Sequence, residues 1–308
     1  MDSKTKQLRS WMFVPGHRQR MIDKSLGLET VDAVMLDIED GVAPTEKDTA
    51  RRQIAASLDE LQERIAASSA PVRTPARYVR INAVGHEGMH ADLVTVVRPA
   101  LEGLVLPKTE KPEEILHVEQ LLNRREPQMG VELGRIRLLV SIESPRGLMN
   151  AYALATASSR VSGLMFGAED FGRELGLPLR REAEARELIY ARSAIVTAAA
   201  AANVQAVDAV WSNLEDAEGL KRFAQQSRRL GFTGMSLIHP SQIDVVNAAF
   251  SPTPEEIDYC RKVVAAYEEA EARGEGAVAF GGQLLDPPIV ERARRMLALA
   301  EALKAAEA

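Results

Sequence analysis

Segments with the pattern of buried β-strands alternate with segments of helical periodicity along most of this chain, and this alternation limits the folds available to it. Short apolar runs predict strands at Trp11–Val14, Ala33–Asp37, Tyr78–Ile81, Gly103–Leu106, Arg137–Ile142, Gly163–Phe166, Val204–Val207 and Gly234–Leu237. Helical patterns lie between most of them, as in residues 45–67, where apolar residues recur at steps of three and four. Repeated strand–helix units predict an α/β fold, the (β/α)8 TIM barrel. A doubly wound open sheet is the alternative, because periodicity does not reveal strand order.

Polar residues cluster where the predicted strands end. In chain order they are His17, Asp37, Glu39, Asp40, Arg80, Asn82, Lys108, Glu143, Glu169, Asp170, Asp208 and His239. In a barrel, the C-terminal ends of the strands converge on one mouth, where the active site lies. The pattern therefore predicts a site at this mouth. The alternative is that these are ordinary polar loops and helix caps, since aspartate is favoured at helix starts.

Charge and cysteine content exclude several classes of protein. The 308 residues include 38 Lys and Arg against 44 Asp and Glu, a net charge of −6, whereas nucleic-acid-binding domains are normally basic. A single cysteine, Cys260, excludes a disulfide framework within the chain. Residues 1–13 lack the apolar run of a secretory signal, and no stretch of about 18 apolar residues predicts a membrane span. We therefore expect a soluble, cytoplasmic protein with neither a nucleic-acid nor a membrane partner.

The sequence changes character after Phe250, which divides it into a predicted barrel, residues 1–250, and a C-terminal extension, residues 251–308. The extension opens with a Pro-containing break and a helix with an acidic first turn. A Gly- and Ala-rich hairpin or loop follows at residues 274–282, and an Ala-rich helix ends the chain. A segment of this length does not fold readily alone. We expect a helical extension or lid that packs on the barrel or on a neighbouring subunit.

Two carboxylates are candidate metal ligands. Glu143 and Asp170 follow neighbouring predicted strands, in the sequences IES and FGAED. Mg²⁺ is usually held by one or two carboxylates, with water and substrate completing its shell. Glu39 and Asp40 would accept hydrogen bonds from the water molecules of the metal. The alternatives are a helix cap for Asp170 and a buried ion pair for Glu143.

For each cation near the predicted mouth, the sequence allows either a role in binding or catalysis or a purely structural one. Arg80 would clamp a substrate carboxylate or an oxyanion, or it would bridge the rim acids structurally. For Lys108 we favour a structural ion pair over a Schiff-base role, because an acidic rim raises the pKa of a lysine. Arg20 and Lys24 share a helical face that suits a phosphate-bearing tail, although a solvated face is the simpler interpretation.

The histidines carry weaker signals. The segment from His86 to His90 matches the H-E-x-x-H pattern of zinc proteases, but Gly85 and Gly88 oppose the helix that this pattern requires. We interpret it as a chance match. His239 is expected to hold its own loop, and Cys260, with no histidine nearby in sequence, is expected to be inert.

Several motifs together resemble the citrate lyase β-subunit-like family, which lies within the HpcH/HpaI aldolase superfamily. They are RSWMFVPGHRQRM, DAVMLDIEDGVAPTEKDTAR, VRIN, LVLPK, SIESPRGLMNA, LMFGAEDFG, SLIHPSQI and LLDPPIVERA. The resemblance spans nearly the whole chain. It implies a TIM barrel, usually trimeric or hexameric, that binds Mg²⁺ and an acyl-CoA.

The resemblance also implies roles for individual residues. Glu143 and Asp170 match the metal ligands, and Arg80 matches a substrate contact. The tail aspartate, Asp286, matches a catalytic acid/base that usually reaches the site of a neighbouring subunit, whereas the sequence alone suggests a turn residue before two prolines. The CoA- or substrate-contacting positions are Phe13, Arg20, Lys24 and Ile238.

The function implied is a Mg²⁺-dependent carbon–carbon lyase. It would cleave or form a 3-hydroxyacyl-CoA such as citramalyl-CoA, malyl-CoA or citryl-CoA, with acetyl-CoA and a 2-oxo acid on the other side of the reaction. Three alternatives stay open: a malyl-CoA thioesterase, a 2-oxo acid aldolase that does not use CoA, and the β subunit of a citrate lyase complex that works on an acyl-carrier partner.

Overall fold

The computed structural model describes residues 7–70, 72–179 and 183–307. The chain divides into two compact units, one comprising Leu8–Asn247 and the other beginning at Ala248. Each unit has an apolar core of its own.

Eight parallel strands of the first unit close into a barrel, in which each strand pairs with the next and the last pairs with the first. They are β1 (Ser10–Pro15), β2 (Ala33–Asp37), β3 (Ala76–Arg80), β4 (Gly103–Leu106), β5 (Arg137–Ile142), β6 (Val161–Phe166), β7 (Gln205–Asp208) and β8 (Gly234–Leu237). The predicted TIM barrel is confirmed, and the closed strand order excludes the doubly wound sheet. The predicted strand bounds differ from the observed ones by at most two residues.

Helices follow the strands. They are α1 (Gln19–Leu26), α2 (Lys47–Ala67), α3 (Met89–Val96), α4 (Pro112–Gln128), α5 (Pro145–Met149), α6 (Ala151–Ala155), α7 (Ala168–Leu175), α8 (Ile189–Ala201), α9 (Ala217–Leu230) and α10 (Ile243–Phe250). The helix predicted over residues 45–67 begins two residues later, because a 3₁₀ turn at Pro44–Glu46 precedes it.

Side-chain alternation along the strands determines which residues reach the mouth. Trp11, Met35 and Tyr78 belong to one apolar cluster in the barrel, and the rings of Trp11 and Tyr78 meet edge to face at 4.9 Å. Since successive strand residues face opposite sides, the residues two positions after Met35 and Tyr78 face the same way. Those residues, Asp37 and Arg80, end their strands and are partners in the register.

The second unit contains two helices and a hairpin. These are α11 (Pro254–Ala272), the antiparallel pair β9 (Val278–Phe280) and β10 (Gln283–Leu285), and α12 (Pro287–Glu307). The hydroxyl of Thr253 accepts a hydrogen bond from the Glu256 amide and caps α11. Cys260 is buried in the core of this unit with Val263 and Leu285. No helix among the described residues is long and apolar enough to cross a membrane.

A buried ion pair fastens α4 to the start of β5 and β6. The carboxylate of Glu126 accepts two hydrogen bonds from Arg160, at 2.7 and 2.6 Å. It also accepts the amides of Gly134 and Ile136, each at 2.8 Å. Every lone-pair direction of this carboxylate is thus occupied, which is the condition under which a buried charge is tolerated.

Replacement of Glu126 by Gln should destabilise the protein by about 3–5 kcal/mol, because Arg160 would be left buried without its counter-ion. Urea denaturation at neutral pH measures the change. The matched control is Glu119→Gln, since Glu119 also lies near Arg160, at 3.8 Å, but is partly exposed. The control should cost less than about 1 kcal/mol, and equal losses in the two variants would contradict the assignment.

The same carboxylate predicts an acid dependence. Burial alone would raise the pKa of Glu126, but hydrogen bonds from Arg160 and from two backbone amides lower it below the ordinary value of 4.5. Glu126 therefore binds a proton less readily in the native state than in the unfolded chain. The ionised carboxylate contributes its full stabilisation above pH 4.5, the ordinary pKa. This stabilisation is lost as the pH falls through the lowered pKa of the native state. The difference in unfolding free energy between wild type and Glu126→Gln should be constant between about pH 6 and 8 and shrink below about pH 4. A constant difference down to about pH 3 would contradict this.

Candidate functional site

An arginine–carboxylate pair forms the base of the site at the mouth of the barrel. Arg80 donates to Asp37 through Nε and Nη2, both at 2.7 Å, in a bidentate geometry. Asp37 also accepts the amides of Glu39 and Gly41, each at 2.9 Å. A side chain on Gly41 would place its Cβ 2.3 Å from Asp37 Oδ2, so only glycine fits there. Asp37 therefore holds both Arg80 and the loop that follows β2.

Arg80 is enclosed by further groups. Its Nη1 lies 3.3 Å from Glu39 Oε2, and its guanidinium lies 4.8 Å above the ring of Phe13. Burial alone would lower the pKa of Arg80, but the Asp37 carboxylate and neighbouring acids raise it above its usual range. The arginine is thus permanently charged and fixed at the mouth. Arg80 bridges two acids of the mouth, Asp37 and Glu39, which is the structural role considered for it from the sequence.

Lys108 joins the next part of the rim. Its ammonium lies 2.5 Å from Glu39 Oε1 and 2.7 Å from Asp40 Oδ2. Partial burial opposes its charge, but the hydrogen bonds that it donates to Asp40 and Glu39 raise the pKa of Lys108 above its usual range. The predicted ion pair is confirmed, and a protonated, paired amine does not serve as a Schiff-base nucleophile.

Glu143 differs from the other acids of the rim. It is buried, and its Oε2 has no hydrogen-bond partner among the described residues. Burial raises the pKa of Glu143 to about 7, and the nearby carboxylates of Glu39 and Asp170 contribute in the same direction. A buried carboxylate oxygen without a partner is costly unless a cation or donor completes it.

A glycine makes room for Glu143. A Cβ on Gly167 would lie 2.3 Å from Glu143 Cγ and 2.9 Å from its Cδ. The backbone of Gly167 has a negative φ of −93°, so other residues would adopt it without strain. Gly167 is therefore required by the space that Glu143 occupies.

Asp170 lies in the first turn of α7, close enough to Glu143 to raise its pKa. Its Oδ1 lies 2.8 Å from Arg173 Nη2, and its side chain is partly exposed. The cap of α7 is Gly167, so the alternative of Asp170 as a helix cap is wrong. The ion pair considered for Glu143 is likewise absent from the described residues.

The predicted ligand contacts lie at different places in the first unit. Arg20 and Lys24 are exposed on α1. Ile238 directly follows β8, is 39% exposed, and donates its amide to Gln242 Oε1 at 2.9 Å. Strand alternation places Ile238 on the same side as Ser236, whose register partner is Trp11 of the interior.

Asp286 belongs to the second unit. Its backbone carbonyl accepts the amides of Ile289 and Val290, each at 3.1 Å, so it stands immediately before α12. Its side chain is half-buried and accepts the Ile289 amide at 3.3 Å. This geometry describes a helix-capping aspartate with one carboxylate oxygen left for other contacts.

Three polar residues at or beyond the ends of strands have structural roles instead. Asp208 forms a buried ion pair with Arg192 of α8, at 2.6 Å. His239 accepts the Ser241 amide at 3.2 Å and so holds its own loop, as predicted. His86 accepts the Gly88 amide at 3.0 Å before α3 begins, so the H-E-x-x-H segment is not one helical face.

Asp37 belongs to the strand-end polar residues from which the sequence predicts a site, but the sequence assigned it no role of its own. It reads as the last residue of an apolar strand, and its role depends on the Arg80 side chain that lies opposite in the register. The sequence did contain one indication of this pair, because Asp37 and Arg80 both lie near the ends of consecutive predicted strands.

The arrangement fits one hard divalent cation. Among the described residues, five acids lie at the mouth, and three cations form ion pairs with four of them. The acids are Asp37, Glu39, Asp40, Glu143 and Asp170, and the cations are Arg80, Lys108 and Arg173. No group of three or more His, Cys, Asp or Glu in the described parts of the chain forms a closed metal cage. An unpartnered oxygen on Glu143 beside Asp170 suits Mg²⁺, which needs few protein ligands.

Comparison with known proteins identifies the family. Residues 9–240 match the family model described as HpcH/HpaI aldolase/citrate lyase. The citrate lyase subunit beta of Escherichia coli strain K12 is 40% identical over 97% of this chain and 95% of its own length. The mitochondrial citramalyl-CoA lyase of Rattus norvegicus is 33% identical over 96% of this chain and 87% of its own.

A solved structure agrees with these relatives. The protein CitE of Mycobacterium tuberculosis, in complex with magnesium, acetoacetate and coenzyme A, is 32% identical with a TM-score of 0.75, over 96% of this chain and 100% of that one. Since the family model, the relatives and this structure agree over most of the chain, the protein belongs to the HpcH/HpaI aldolase/citrate lyase family and is an enzyme of the lyase class.

Proposed function

We propose that this enzyme is a Mg²⁺-dependent carbon–carbon lyase that acts on a 3-hydroxyacyl-CoA, such as citramalyl-, malyl- or citryl-CoA. The observation that carries the proposal is the unpartnered oxygen of buried Glu143 beside Asp170 at the barrel mouth. The magnesium and coenzyme A in the CitE structure of M. tuberculosis support it.

Glu143 and Asp170 would hold the metal, and Glu39 and Asp40 would accept hydrogen bonds from its water molecules. When bound, Mg²⁺ supplies Lewis-acid polarisation of the 2-oxo acid unit. The carboxylate of that unit would receive amide hydrogen bonds from the first turn of α7, where the helix dipole favours negative charge.

Arg80 would stabilise the negative charge that develops on the thioester oxygen when the carbon–carbon bond breaks. Asp37 uses only the Nε and one Nη2 donor of the guanidinium, so further N–H groups are left for a substrate oxyanion. The donor is already oriented before the substrate arrives, which is the condition for electrostatic stabilisation of a transition state.

Asp286 would exchange the proton on the acetyl carbon. In cleavage, the 3-hydroxyl releases its proton to solvent and becomes the carbonyl of the 2-oxo acid, while the electrons of the carbon–carbon bond form the thioester-derived enolate. Asp286 as general acid then protonates the enolate carbon and is itself reprotonated from solvent. In condensation, the carboxylate removes that proton.

We further propose that residues 251–308 carry Asp286 to the mouth of a neighbouring subunit in a homotrimer or hexamer. Light scattering on the purified protein would test the oligomeric state.

Phe13, Arg20, Lys24 and Ile238 would contact the acyl-CoA. The two exposed cations on α1 suit its phosphates, and the apolar side chains of Phe13 and Ile238 would border the reacting acyl group.

The cytoplasmic location expected from the sequence stays a prediction.

A second candidate is the β subunit of a citrate lyase complex, which is favoured by the 40% identity to the E. coli subunit of that name. In that case an acyl-carrier partner, not free CoA, would present the substrate. Copurification with an acyl carrier protein, together with inactivity on free CoA thioesters, would support this candidate over the first.

The test is a Mg²⁺-dependent assay of the purified protein with malyl-, citramalyl- and citryl-CoA, in which 2-oxo acids and hydroxy acids are separated as products. A 2-oxo acid plus acetyl-CoA supports the lyase. A free hydroxy acid identifies a malyl-CoA thioesterase. Aldol cleavage of simple 2-oxo acid adducts without CoA binding identifies an aldolase, and either of these outcomes would reject the proposal.

Asp286→Asn should lower turnover by at least about 100-fold, the low end for a lost general acid or base. Mg²⁺ affinity should be unchanged, because the proposed ligands lie in the first unit. Steady-state kinetics and calorimetry measure the two quantities, and retained turnover would remove Asp286 from the mechanism.

Gly167→Ala should weaken Mg²⁺ binding by about 10-fold or more, because the new Cβ displaces the Glu143 side chain. Calorimetric titration measures the affinity. The matched control is Gly172→Ala in the same helix, where the nearest atom to a Cβ lies at an ordinary 3.8 Å. Wild-type affinity in Gly167→Ala would show that Glu143 does not hold the metal.

A further inference from the structure

Lys47 stands at the start of α2 and is bound entirely to groups near the mouth. Its ammonium donates to the backbone carbonyls of Ile38 and Glu39, at 2.8 and 3.0 Å, and to Asn82 Oδ1 at 2.6 Å. A lysine has three N–H donors, so each of them is used. Two of the three acceptors belong to the loop that carries Glu39 and Asp40.

The third acceptor is itself held rigidly. Asn82 is buried, and Asp92 Oδ2 accepts both its backbone amide, at 2.8 Å, and its Nδ2, at 2.6 Å. The other oxygen of Asp92 accepts Arg51 Nε at 2.6 Å. Lys47 therefore connects the loop to a buried network that includes α2 and α3.

The loop is fixed through two different sets of backbone groups. Asp37 accepts the amides of Glu39 and Gly41, whereas Lys47 donates to the carbonyls of Ile38 and Glu39. Because amides and carbonyls are both restrained, the backbone of the loop has little freedom to turn. The side chain of Glu39 then has a defined direction toward Arg80 and Lys108.

The position of Lys47 in its helix argues against a role in helix stability alone. A cation in the first turn of a helix is opposed by the helix dipole, which favours acidic residues there. The unfavourable location is offset here by the two loop carbonyls, which are partial negative charges.

We propose that Lys47 is a positioning residue for Glu39 and Asp40, and that through them it sets the affinity of the mouth for its divalent cation. The inference rests on the proposed metal site. Lys47 contacts neither proposed ligand, and it acts by holding the backbone from which the hydrogen-bond acceptors for metal-bound water project. Partners of this kind typically alter metal affinity by about 10- to 100-fold.

The test compares Lys47→Met with Arg51→Met in the full-length protein. Arg51 lies one turn further along the same face of α2 and binds the same network through Asp92, but it contacts no group of the 38–40 loop. Mn²⁺ serves as the probe, because free Mn²⁺ is counted directly by electron paramagnetic resonance. Urea denaturation of both variants measures the loss of stability separately.

Lys47→Met should raise the Mn²⁺ dissociation constant by about 10-fold, while Arg51→Met leaves it within about twofold despite a comparable or larger loss of stability. Unchanged Mn²⁺ affinity in folded Lys47→Met would overturn the inference, and so would parallel losses in both variants. If Lys47→Met does not fold, Lys47→Gln takes its place, because Gln retains N–H donors on a shorter side chain. Its Mn²⁺ dissociation constant is then compared with that of Arg51→Met in the same way.

Failure of the metal site itself is distinguishable from failure of this inference. If the wild-type protein binds no Mn²⁺, the proposed function loses its cofactor. If wild type binds Mn²⁺ and Lys47→Met binds it equally, only the role of Lys47 is rejected.

Discussion

The bidentate pair between Asp37 and Arg80 is the contact on which the mouth of this barrel depends. It joins the ends of two adjacent strands, fixes a permanent positive charge beneath the site, and leaves Asp37 free to accept two amides of the following loop. Arg80 then lies against Glu39, and Glu39 lies against Lys108. Three acids of the mouth, Asp37, Glu39 and Asp40, are consequently held together through Arg80 and Lys108.

Similar ion pairs have a different use on the other side of the sheet. Asp208 also ends a strand, but it pairs with Arg192 among the surrounding helices. Glu126 and Arg160 form a second such pair, with each oxygen of Glu126 satisfied. Glu143 alone among these buried acids retains an unpartnered oxygen. The contrast between satisfied and unsatisfied carboxylates separates structural pairs from a group that awaits a ligand.

Much of the fold could be predicted from the sequence. The strands are short apolar runs whose ends are marked by polar residues, so β2, β4, β5 and β8 were predicted with their observed bounds. The neighbouring positions of Glu143 and Asp170 followed from the convergence of strand ends in a barrel. The role of Asp37 and the involvement of Lys47 were not predicted, because both depend on partners that are distant in sequence, such as Arg80 and Asn82.

The sequence by itself determined the barrel and the set of polar residues available to its mouth, because the periodicity of apolar residues and the chemistry of strand ends are local properties. Only the tertiary structure decided how those residues are used. Closure of the sheet placed Asp37 opposite Arg80, turned Asp208 away toward Arg192, and buried Glu143 beside the small Gly167. Such outcomes depend on register and on packing between distant segments, and a linear pattern of residues does not contain them.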